Sequence, residues 1–120
     1  MSSSITETLK QLLDIDGAMA AALVDYSSGM MLGSVGQGLD LDIAAGGNTE
    51  VIRAKLKTIK ALGLNENIED MLITLDSQYH LIRPLTQTRE LFVYYVLDRS
   101  KANLALARRK LQSVEGQIAI

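Results

Sequence analysis

The apolar positions of this chain change period several times, and each change marks an element. From Leu91 to Leu97 seven residues are apolar without a break and rich in β-branched and aromatic types. That run predicts a strand covered on both faces, because a half-exposed strand would alternate apolar with polar. The period then becomes helical: Leu104, Ala107, Leu111 and Val114 fall on one side of a closing helix. Asp98 or Ser100 is placed to accept its first free N–H groups.

Upstream, Ser4-Ile5-Thr6-Glu7 has the form of a capping box, and Ile5, Leu9, Leu12 and Leu13 make one apolar stripe that Gly17 ends. Ala18–Val24 is apolar and small throughout, so it predicts a strand that a helix can approach closely. Asp25 to Gly29 supplies turn formers, and Met30-Met31-Leu32 resumes an extended run. The glycines of GSVGQG, Gly33 to Gly38, are then read as a flexible exit from that strand. Their order differs from the dinucleotide fingerprint, and no Gly-Lys-Ser/Thr follows to serve a phosphate, so phosphate binding is not expected.

The segment from about Leu41 to Leu62 is predicted to be a helix. Ala44, Ala45, Val51, Ile52, Leu56, Ile59 and Leu62 cover an arc of roughly 140°. Such an arc is wide for a helix that meets only its own sheet. Lys55 falls inside it, while Arg53, Lys57 and Lys60 form a basic face opposite. Gly46-Gly47-Asn48 interrupts the segment. Either the helix starts near Thr49, or it is continuous and the glycines let another backbone come close; continuity is the expectation adopted. Gly63 stops the helix. Met71–Leu75 and Tyr79–Arg83 read as strands joined by a hairpin, with Pro84 ending the second and Thr86 to Glu90 turning into the central strand. The order α-β-β-α-β-β-β-α, with strands apolar on both faces, predicts a three-layer α/β/α sandwich around a five-stranded, mainly antiparallel sheet.

Composition narrows the function by exclusion. A length of 120 residues fits one domain spanning 1–120. A net charge of -2 is too near zero to select nucleic acid or an anionic membrane. The N-terminus lacks the form of a signal peptide and no apolar run reaches membrane-spanning length, so a cytoplasmic protein without membrane insertion is expected. There is no cysteine, and His80 is the single histidine. No metal constellation, nucleophile–base pair or carboxylate pair emerges, so neither a cofactor nor enzymatic activity is expected, and His80 is read as structural.

Several phrases in order resemble the roadblock family of dynein light-chain-like domains, in its bacterial form. They are Asp16-Gly17-Ala18, Val24-Asp25 before Ser28-Gly29, His80-Leu81-Ile82-Arg83-Pro84-Leu85, and Leu97-Asp98-Arg99-Ser100 leading into Ala102-Asn103-Leu104-Ala105-Leu106-Ala107-Arg108. The resemblance runs from about Ile5 to Val114; Gly46-Gly47-Asn48 departs from the smoother alanine-rich helix of many relatives. It implies a non-enzymatic homodimeric scaffold or regulator that binds a Ras-like small GTPase or a signalling complex. The middle helices would pack together and edge strands would join two sheets. Val51, Ile52, Lys55, Leu56 and Ile59 of the helix and Met71, Ile73 and Leu75 of the strand would form the dimer interface. Arg53, Lys57 and Lys60 would dock the partner. The alternative is a small-molecule sensor with a pocket between sheet and helix.

Overall fold

The structure is a computed structural model and describes residues 2–86, 88 and 90–118. Helix α1 (Ser2–Lys10) runs into a 3₁₀ turn (Gln11–Asp14). Then follow β1 (Ala18–Asp25), β2 (Met30–Gly36), α2 (Leu41–Ala61), β3 (Met71–Thr74), β4 (Gln78–Pro84), β5 (Leu91–Asp98) and α3 (Leu104–Glu115). The five strands form one antiparallel sheet in the order β2-β1-β5-β4-β3. The unbroken apolar run is the middle strand, and all of Leu91–Leu97 is buried. Its two faces feed two cores. Leu91, Val93, Tyr95 and Leu97 pack with α1, the 3₁₀ turn and α3, while Phe92, Tyr94 and Val96 pack under α2. This is the three-layer sandwich expected from the strands' apolar faces.

The small residues of β1 have a partner in size. Ala21 pairs with Tyr95 and Ala22 with Tyr94, so the narrow strand lies beside the wide side chains of β5. Tyr95 also donates its hydroxyl to the Leu12 carbonyl at 2.5 Å, which fastens the 3₁₀ turn to the sheet. Pro84 is the last residue of β4, where it needs no further ladder donor. The turn expected over Thr86–Glu90 includes Gln87 and Arg89, which lie outside the described residues.

Four local expectations are corrected. Helix α1 begins at Ser2, so Ser4 stands within it rather than at its cap, and it gives way at Gln11 to the 3₁₀ turn, which itself ends at Asp14, three residues before Gly17. The α3 cap is Asn103, whose side chain accepts from the Leu106 N–H at 3.1 Å. Asp98 is used earlier: its Oδ1 accepts from the backbone N–H and hydroxyl of Ser100, closing the turn after β5, and these bonds hold its carboxyl below the usual range. Finally, Gly33 through Gly36 is strand, not loop. Gly33 lies under Ile5 of α1, and Gly36 has φ +85 with no room for a Cβ, which would stand 2.2 Å from the Met19 carbonyl oxygen.

Candidate interaction surface

Helix α2 is continuous through Gly46 and Gly47. Asp40 caps it by accepting from the Ile43 N–H at 3.1 Å, a signal the periodicity of the segment passes over. The wide apolar arc divides in two. Ala45, Thr49 and Ile52 are buried against the sheet, with Leu56 and Ile59 half-buried beside them. The other part is open: Val51 is 38% exposed and Leu62 65%, and Ile43, outside the arc, is 73% exposed. Ile52 is fully buried in its own protomer, so its side chain belongs to the core and not to a docking surface. The arc thus has one part turned to the sheet and one part turned outward.

The open face has its own spacing. Ala44, Gly47, Val51, Ala54, Thr58 and Ala61 recur at alternating intervals of three and four, the seam pattern of packed helix pairs. All but the half-buried Ala44 are exposed. Thr58 turns its hydroxyl back onto the Ala54 carbonyl at 2.9 Å, so the seam offers no unpaired hydroxyl. A Cβ added at Gly46 or Gly47 would meet nothing within 4 Å. Neither glycine is needed for packing inside the protomer, although each costs about 1 kcal/mol against alanine in a helix.

Of the basic side chains, Arg53 is engaged within the protomer. Arg53 donates to the carbonyls of Tyr26 at 2.8 Å and Ser27 at 2.6 Å, and reaches Glu50 at 3.5 Å. It anchors α2 to the β1–β2 turn, whose Asp25 carboxyl is held below its usual value chiefly by the bonds from Ser27. Lys55, Lys57 and Lys60 are exposed.

The two sheet edges differ. Opposite the β1 step from Leu23 to Val24 the edge strand β2 carries an extra residue, Leu32, a bulge that spoils edge-to-edge pairing. Strand β3 pairs with β4 in even register and has no bulge. The Leu75 N–H bonds to the Gln78 carbonyl. By the alternation of antiparallel pairing, Met71 and Ile73 then bond inward, and Leu72 and Thr74 turn their backbone groups to the open side. Met71 is half-buried, Ile73 is 36% exposed, and Leu75, beyond the end of the strand, is 41% exposed.

His80 is held rather than poised. Its Nε2 lies 2.8 Å from Gln78 Oε1 and its Nδ1 3.0 Å from the Tyr94 hydroxyl. Gln78 Oε1 can only accept, so the proton on Nε2 suits both contacts. Burial keeps the imidazole below its usual pKa. Among the described residues no group of three or more His, Cys, Asp or Glu could hold a metal, and no helix is long and apolar enough to cross a membrane. Between α2 and the end of the sheet lies a cavity of about 430 Å³ lined by Tyr26, Leu56, Ile68 and Pro84 among others.

No protein-family model matches the chain, and no curated protein matches it in sequence. Its shape does match solved structures. MglB of Myxococcus xanthus aligns with a TM-score of 0.85 at 18% identity, over 97% of this chain and 85% of that one. A Roadblock/LC7 domain from Streptomyces avermitilis gives 0.81 at 13% identity, over 92% and 91%. An MglB solved in a tetrameric arrangement gives 0.83 at 18% identity, over 95% and 84%. With its single antiparallel sheet between α2 on one side and α1 and α3 on the other, this chain has the roadblock/LC7 fold.

Proposed function

We propose that the chain is a non-enzymatic homodimeric scaffold or regulator that docks a Ras-like small GTPase or another signalling protein. The observation that carries this reading is the seam of small residues on α2, exposed from Gly47 to Ala61. Two copies of α2 packed antiparallel about a two-fold axis bring Ala44 against Ala61, Gly47 against Thr58 and Val51 against Ala54 of the other copy. Ile43 and Leu62, both largely exposed, then cover each other at the two ends. Glu50 and Lys57 flank the seam on one side, so that each meets its opposite charge. The same two-fold axis would pair the unbulged β3 edges through Leu72 and Thr74. That one of the structurally similar proteins is an MglB in a tetrameric arrangement adds support for self-association.

For docking a partner, Lys60 is the cation that neither anchors the β1–β2 turn nor flanks the seam. Charge there would act mainly on encounter and orientation. The test is capture from native lysate loaded with a non-hydrolysable GTP analogue or with GDP. A small GTPase should be recovered in a nucleotide-dependent way, because switch loops differ between the two states, and Lys60→Glu bait should recover less. Recovery of no GTPase in either state would remove this partner class. The cavity under α2 gives the sensor reading a place to act. A metabolite that raises the melting temperature through that cavity would favour it.

A further inference from the structure

A second surface lies on the opposite side of the sheet from α2. Between the 3₁₀ turn and α3 runs a groove of about 370 Å³ lined by Ile15, Leu106, Arg109, Lys110 and Ser113. Past the shared Ile15 and Leu106 it opens into a hollow of about 240 Å³ bordered by Asp14, Asp16 and Lys101. Leu106 is 49% exposed although it sits mid-groove. The walls are fixed. Gln11 and Gln117 exchange amide hydrogen bonds of 2.7 and 3.1 Å across one end, and Tyr95 holds the 3₁₀ turn from below. A larger cavity of about 730 Å³ on the other flank of α3, which Glu69 and Arg109 also border, holds two matched pairs. There Arg108 binds Asp70, and Arg83 binds Glu115. In the smaller groove Arg109 and Lys110 have no hydrogen bond or ion pair among the described residues.

We propose that this groove docks an acidic amphipathic helix of a partner protein. Both walls are helical, so no free strand edge is present to capture an extended peptide. Recognition must come from side chains, an apolar stripe on Ile15 and Leu106 with carboxylates against Arg109 and Lys110. Asp14 and Asp16 at the far end set the direction of the helix by favouring its cationic residues there. They also oppose an anionic bilayer, which would meet both signs at once. The site is independent of the α2 seam and stays open in a dimer built on it.

The test uses the full chain, isotope-labelled, with three probes. One is a synthetic amphipathic helix with a leucine stripe flanked by glutamates, one its twin with lysines in their place, and one vesicles of phosphatidylserine and phosphatidylcholine. The glutamate helix should saturate shifts at the amides of Ile15, Leu106 and Arg109, with the lysine twin at least about tenfold weaker. Leu106→Glu and Arg109→Glu, both at exposed positions, should each abolish these shifts without lowering the melting temperature. Equal binding of the two helices, shifts that map elsewhere, no shift at about millimolar probe, or vesicle binding that the two variants abolish would each overturn the proposal.

Discussion

The Arg83 guanidinium donates to Glu115 Oε1 at 2.5 Å, and Glu115 Oε2 accepts from both the backbone N–H and the hydroxyl of Thr86, at 2.9 and 2.8 Å. One buried carboxylate therefore ties the end of α3 to β4 and to the loop after it. Burial alone would push its pKa up. The bonds from Arg83 and Thr86 outweigh that and hold it below the ordinary value. The contribution is present above the unfolded carboxyl's pKa, about 4.3, and is lost as pH falls through the lower folded value. Glu115→Ala should cost about 3 kcal/mol at neutral pH, because it leaves Arg83 buried without its partner. In urea unfolding from pH 7 downward, the gap between wild type and variant should close only below about pH 4. A gap unchanged down to pH 2 would refute this role.

Gly46 and Gly47 separate fold from association. Alanine at either position should stabilise the isolated protomer by about 1 kcal/mol, since nothing crowds the new methyl. Gly47→Ala should also weaken self-association, because Gly47 lies in the seam. Gly46→Ala, off the seam, should not. Unfolding measured at high dilution reads the first effect and sedimentation reads the second. Equal association of the two variants would remove Gly47 from the seam.

Much of this was legible in the sequence, and the exceptions share a cause. The central strand, the alanine strand beside it and the continuity of α2 follow from apolar spacing, because burial imposes that spacing. Spacing does not say which of two apolar faces looks inward, so the periodicity places Ile52 at the interface although its side chain is buried in the core. Nor does it show where a long side chain bends. Arg53 reads as part of a basic face, yet it reaches the carbonyls of Tyr26 and Ser27, far away in sequence. The caps failed for a similar reason: Asp98, Ser100 and Asn103 all have capping chemistry, and only the path of the turn chooses among them. The groove beside Leu106 has no sequence signal, because its walls lie some 90 residues apart.

Arg53→Gln should destabilise the fold by about 1 kcal/mol, since two charge-assisted bonds to carbonyls are lost at a partly exposed site. Lys60→Glu should leave the melting temperature unchanged. Thermal unfolding of the two variants side by side distinguishes an anchoring arginine from a solvated lysine. Equal melting temperatures would mean that the bonds to the β1–β2 turn contribute nothing.

Calorimetric titration with GTP or ATP, each with magnesium, should be flat. Gly33 and Gly36 are committed to β2, and no lysine follows them to meet a phosphate. Micromolar binding would require a nucleotide site elsewhere in the fold.

Sedimentation equilibrium at micromolar concentration tests the dimer most directly. The unaltered chain should sediment at twice the protomer mass. Ala54→Glu, which would bury an unpaired carboxylate on each side of the two-fold axis, should weaken the dimer by several kcal/mol and return the protomer mass while the fold persists. A wild-type chain that sediments as a protomer at that concentration would contradict the α2 seam and the regulator built on it.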